Sequence, residues 1–149
     1  MKPQTISRPI NILLAEDSPT DVMLTREALA HAKVLNILHV VENGVEAIEF
    51  LRREGPYAGV PRPDLVLLDL NMPRKNGHEV LAEIKADDRL KTIPIVILTT
   101  SRNESDLMKA YGSHANCYIA KPVDFEAFAE VVRSIENFWF TVVALPPAA

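Results

Sequence analysis

Five short apolar runs punctuate the chain, at residues 10–15, 37–41, 65–68, 93–98 and 117–120. They are largely continuous rather than alternating, the pattern of parallel strands covered by helices on both faces. Between them apolar residues recur at helical spacing: Val45, Ile48 and Leu51, then Leu81 and Ile84, then Leu107, Ala110 and Tyr111. The last segment carries Phe125, Phe128, Ala129, Val132, Ile135 and Trp139, the i, i+3, i+4, i+7 stripe of an amphipathic helix. Ser18-Pro19 supplies a cap followed by proline at the first helical position, so the first helix is expected to begin there. Strand and helix alternating five times predict an α/β protein whose parallel sheet has right-handed crossovers. Residues 52–64 form the longest loop-like insert and read as a surface excursion before the third strand.

Composition narrows the class. At 149 residues the length suits one domain, with a core from about residue 10 to residue 140 and a short tail at 141–149. With 48% hydrophobic and 24% charged residues and only 5 Gly, the chain is neither disordered nor fibrous. Cys117 stands alone, which excludes an internal disulfide and a thiolate metal cage and fits a reducing compartment. Sixteen Lys and Arg against 20 Asp and Glu leave a net charge of −4, which disfavours a general nucleic-acid binder. Residues 138–149 are the most apolar tail but carry two prolines and fall short of the roughly 20 residues a membrane span needs. Residues 1–5 lead into no apolar targeting core, so a cytoplasmic protein without membrane partners is expected.

Open parallel sheets bind ligands beyond the carboxyl ends of their strands. The first run ends in Glu16-Asp17-Ser18, the third in Asp69-Leu70-Asn71, the fourth in Thr99-Thr100 and the fifth in Lys121-Pro122. Neighbouring strands lie about 4.8 Å apart, so Glu16, Asp17 and Asp69 would share one small basin. Such a cluster takes up protons or binds a divalent cation. All-oxygen ligands with no Cys or His nearby favour Mg²⁺, with Mn²⁺ as a substitute. Lys121 and the Thr99 hydroxyl could meet phosphoryl oxygens from the other side, completing an acceptor for a phosphoryl group. Each motif has a plainer explanation by itself. Glu16-Asp17 could be loop or cap acids, Asp69 could open a turn, Thr99-Thr100 could be strand or cap residues, and Lys121-Pro122 is unremarkable. Their co-occurrence, each directly after a predicted strand, argues for one shared site. His31, His39, His78 and His114 show no ligand spacing, Cys117 reads as apolar filler, and no glycine-rich nucleotide loop occurs.

Together, Glu16-Asp17, Asp69 in LLDLNMP, Thr99 in ILTTS and Lys121-Pro122 resemble the signature of response regulator receiver domains, over about residues 10–140. The resemblance implies a flavodoxin-like (βα)5 three-layer sandwich with sheet order 2-1-3-4-5. It implies Asp69 as phosphoacceptor for a histidine kinase, with Asp17, Asp69 and the backbone carbonyl of Asn71 ligating Mg²⁺ and Glu16 acting directly or through water. It further implies that Lys121 contacts the phosphoryl group, that Lys121-Pro122 is a cis peptide, and that Thr99 and Tyr118 form a hydroxyl and aromatic switch pair. Phosphorylation would draw Thr99 inward and let Tyr118 rotate, reshaping the face made by the fourth helix, fifth strand and fifth helix. Tyr57, Pro61-Arg62-Pro63, Asn116-Cys117-Tyr118 and Phe138-Trp139-Phe140 are similar to the stand-alone regulators that serve cyanobacterial phytochromes, which implies a phytochrome-type kinase partner.

In the last helix Val131 and Phe138 fall off the core stripe, and Phe140, Val142, Val143 and Leu145 extend that apolar surface. A helix apolar beyond one stripe commonly covers a partner, so a homodimer through this region is expected, against a tail folded over its own core. Two other functional readings compete. A haloacid-dehalogenase-like phosphatase also uses a strand-end Asp with Mg²⁺, but carries a second acid two residues later, where this chain has Asn71. A degenerate receiver would bind partners without accepting phosphate, and the intact Asp69, Thr99 and Lys121 argue against it.

Overall fold

The computed structural model describes residues 9–31, 35–99 and 117–120. Within them β1 (Ile10–Ala15), β2 (Asn36–Val41), β3 (Leu65–Asp69), β4 (Ile95–Thr99) and β5 (Cys117–Ala120) form one parallel sheet in the order β2-β1-β3-β4-β5. Helices α1 (Pro19–His31), α2 (Gly44–Arg52) and α3 (Gly77–Ala86) fill the crossovers between β1 and β4. The expected α/β architecture and strand order are therefore the observed ones. The expected fourth and fifth helices fall on residues outside those described.

Continuous apolar runs make these strands because both faces of the sheet are covered. All five residues of β3 are buried, and successive side chains go to opposite faces. Val66 and Leu68 join a core with Phe50, Leu51, Val80 and Leu81 from α2 and α3, whereas Leu65 and Leu67 join Ala28 and Leu29 from α1. Each helix starts on a side-chain cap. The Asp21 N–H donates to the Ser18 hydroxyl (3.3 Å), the Glu46 N–H to Asn43 Oδ1 (2.9 Å), and Asn76 with Glu79 forms a reciprocal capping box.

Two sequence expectations need correction. Strand β4 begins at Ile95, because Pro94 has no N–H to give a ladder. Ile93 is buried, but its N–H donates to the Leu90 carbonyl (2.9 Å) in the preceding turn. The insert at 52–64 is also no simple surface excursion. Arg52 closes α2, Arg53 caps it in the left-handed region (φ 57°), and residues 55–57 make a short 3-10 turn. That turn presses Tyr57, with Val60, onto the core. Tyr57 meets the Phe50 ring at 5.5 Å between centroids, and Phe50 meets His39 at 5.3 Å. Burial, reinforced by Glu46, Glu49 and Glu42, raises the Tyr57 phenol above its ordinary value. The insert then closes onto β1, where the Asn11 N–H donates to Asp64 Oδ2 (2.9 Å). Among the described residues no helix is long and apolar enough to cross a membrane.

Candidate functional site

Strands β1 and β3 are hydrogen-bonded neighbours, with Ala15 opposite Leu68. The next residue on each, Glu16 and Asp69, therefore emerges side by side at the carboxyl edge. Glu16 is 2% exposed and Asp69 4%, while Asp17 is exposed. One carboxylate oxygen from each of the three lies within 4.8 Å of the others. The local chain holds them there. The Glu16 N–H donates to the Val41 carbonyl (2.9 Å), the Ser18 N–H to Glu16 Oε2 (3.3 Å), and the Asn71 N–H to Asp69 Oδ1 (3.2 Å).

Two glycines press the surrounding backbone together. A Cβ on Gly77 would stand 2.4 Å from the Asp69 carbonyl oxygen and 2.6 Å from Leu70 Cα. A Cβ on Gly44 would stand 2.0 Å from the Lys75 carbonyl oxygen. Thus α3 starts directly against the backbone of Asp69, and α2 starts against the loop that follows β3. That loop carries Arg74 in the left-handed region (φ 68°) and an ion pair between Lys75 and Glu83. These supports were missed in the sequence, yet they leave a signal there. Asn43-Gly44-Val45-Glu46 and Asn76-Gly77-His78-Glu79 repeat one pattern, a capping Asn, a glycine for close approach and a first-turn Glu.

Two ionised carboxylates 4.8 Å apart repel by about 3 kcal/mol at an effective dielectric of 20. Three such groups with two of them buried take up protons or bind a cation, and an all-oxygen donor set suits a hard divalent ion. Thr99 is the last residue of β4, whose Leu98 is in register with Asp69, so its backbone reaches the same edge. Tyr118 is opposite Ile97 on β5, which ends at Ala120. The side chains of Thr99 and Tyr118 lie outside the described residues, as do Lys121, Pro122, Val131, Phe138, Phe140 and Val142 in full.

A five-stranded sheet of order 2-1-3-4-5 with three acids at the β1 and β3 ends defines a receiver-type α/β protein. Residues 12–133 match the response regulator receiver domain, and the chain belongs to that family, a signalling one. Response regulator Rcp1 of Synechocystis sp. is 46% identical over 140 residues, spanning 94% of this chain and 95% of its own. The probable methanogenesis regulatory protein FilR2 of Methanothrix harundinacea is 40% identical over 132 residues, 88% of this chain and 84% of its own. Among solved structures, the phosphorylated cyanobacterial phytochrome response regulator RcpA superposes with a TM-score of 0.81 at 47% identity, covering 94% of this chain and 100% of that one. The Mn²⁺-bound form of Rcp1 gives 0.79 at 45% identity, covering 93% and 100%.

Proposed function

We propose that this chain is a phosphorylation switch in which Asp69 accepts a phosphoryl group from a phytochrome-type histidine kinase. The observation that carries the reading is the buried Asp69 carboxylate within 4.8 Å of Glu16 and Asp17. The Asp69 oxygen attacks phosphorus in line as the bond to the kinase's histidine nitrogen breaks. That nitrogen keeps the electron pair, and an acyl phosphate is left on Asp69. Asp17, Asp69 and the Asn71 carbonyl, with Glu16 directly or through water, would hold Mg²⁺ or Mn²⁺. Bound there, the cation neutralises charge on the incoming phosphoryl oxygens. The relative crystallised with Mn²⁺ supports this ligand class, and the phytochrome regulators among the relatives support the kinase class.

Lys121 would contact the phosphoryl oxygens, and Thr99 with Tyr118 would carry the change to the face around β5. Moving that equilibrium from 1:99 to 99:1 takes about 5.5 kcal/mol, within reach of several charge-assisted bonds to phosphate. Coverage of 95% of Rcp1 supports a single receiver domain at 1–149, whose output is binding or self-association. The apolar positions Val131, Phe138, Phe140 and Val142 would form the homodimer contact, so Phe138→Asp should convert a sedimenting dimer to a monomer. Intact mass after incubation with acetyl phosphate and Mg²⁺ tests the central step. One phosphoryl group should appear on the wild type, and none on Asp69→Asn or in EDTA. An unmodified wild type would leave a binding module that never takes phosphate.

A further inference from the structure

Helices α2 and α3 begin at the acidic lip, and their carboxyl ends, roughly 15 Å further on, frame a cavity of ≈ 430 Å³. Arg52 and Arg53 line it from the end of α2, Arg62 from the insert and Arg89 from the turn after α3. Leu51 and Leu90, both buried, give it an apolar lining. The lining acids are Glu54 and Asp87, so four cations less two anions leave an excess of +2 in a chain whose net charge is −4. Asp87 is already engaged. Its carboxylate lies 3.6 Å from Arg52 Nε and accepts the Arg89 backbone N–H (2.8 Å).

Helix dipoles explain part of this, since cations at a carboxyl end offset its partial negative charge. That covers Arg52 and Arg53, which close α2. It does not cover Arg62, which belongs to no helix and donates to the Arg89 carbonyl (2.5 Å) and the Thr92 hydroxyl (3.1 Å). Those bonds tie the insert to the turn after α3 and fix the guanidinium, while three of its five N–H groups are not used by them. A fixed guanidinium loses little freedom when it grips an anion, and its fork matches phosphate and carboxylate alike. The volume falls in the small-ligand range of roughly 300–1,000 Å³.

We propose that this cavity binds a small organic dianion, a phosphate ester or a dicarboxylate, gripped by Arg53, Arg62 and Arg89 with its carbon body against Leu51 and Leu90. The site is independent of phosphorylation at Asp69. Amide chemical shifts of the full chain, titrated in EDTA with phenyl phosphate and separately with glutarate, test it and tell which headgroup is preferred. Saturable shifts should centre on residues 52–54, 62 and 87–90. Both Arg89→Ala and Arg62→Lys should raise the dissociation constant roughly tenfold, as expected for loss of a charged hydrogen bond. Arg89 has an exposed side chain, so its variant keeps the test sound even if Arg62→Lys loosens the insert. Absence of saturable shifts with both probes, shifts centred elsewhere, or binding that neither substitution weakens would overturn the site. A hexaglutamate peptide that binds these residues more tightly than both probes would overturn it in favour of an acidic protein partner.

Discussion

At their amino ends α2 and α3 press Gly44 and Gly77 against backbone beside three converging carboxylates. At their carboxyl ends the same helices help to frame a cavity lined by four guanidiniums. Both ends concentrate charge of one sign, but they hold it differently. Backbone contacts closer than any side chain permits fix the lip, and two of its three acids, Glu16 and Asp69, are buried at 2% and 4% exposure. Side-chain bonds from Arg62 hold the cavity, and much of its charge is in water, where repulsion is screened. The contrast shows the lip as a tightly built feature, intolerant of added atoms. The cavity should tolerate substitution and lose only its ligand.

The largest expected effect tests the backbone seat. Gly77→Ala puts a methyl 2.4 Å from the Asp69 carbonyl oxygen. It should destabilise by about 2–3 kcal/mol, lowering Tm by roughly 5–10 °C. An unchanged Tm would show that the backbone of Asp69 can give way. The charge of the lip comes next. Asp69→Asn removes one repelling group while keeping an acceptor for the Asn71 N–H. Urea denaturation in EDTA should show it more stable by about 1 kcal/mol, with less further gain from Mg²⁺ than the wild type. A loss of stability instead would show that the acids are held without significant repulsion.

At the other end, Arg53→Gly should add about 0.5–1 kcal/mol by relieving the left-handed cap at φ 57°. Arg89→Ala should stay within about 0.5 kcal/mol of wild type. Matching losses in these two variants would make the cavity as rigidly specified as the lip. The smallest effect is a pH dependence at His39, whose ring packs on Phe50 and pairs with Asn11 Oδ1 (3.2 Å). Burial lowers its affinity for a proton below the ordinary value of 6.5. The unfolded chain therefore binds the proton first as pH falls through 6.5, and stability declines in that window. His39→Asn should flatten this slope in urea melts taken on either side of pH 6.5.

The strands were legible because a sheet covered on both faces writes itself as unbroken apolar runs, and residues 10–15 and 117–120 are strands without adjustment. The acids were legible for the same reason, since Glu16 and Asp69 follow directly on such runs. Ile93 misled because an apolar residue reads as strand until Pro94 removes the ladder donor. Tyr57 and Val60 misled because Gly55, Pro56 and Gly59 around them signal a loop, while their burial depends on contacts with Phe50 and its neighbours. The repeated Asn-Gly-x-Glu pattern marks both glycine seats, but the partners they meet, like those of the arginine cavity, were illegible for a deeper reason. Gly44 meets Lys75, and Arg62 meets Arg89, across separations that no local pattern encodes.

The seat of Gly77 on the Asp69 carbonyl also sets a direction. One flank of the Asp69 backbone is closed by a helix start with no room for a side chain. Any phosphoryl group accepted by Asp69 would therefore load a backbone that α3 already buttresses, with β4 as its ladder neighbour on the side of the proposed switch.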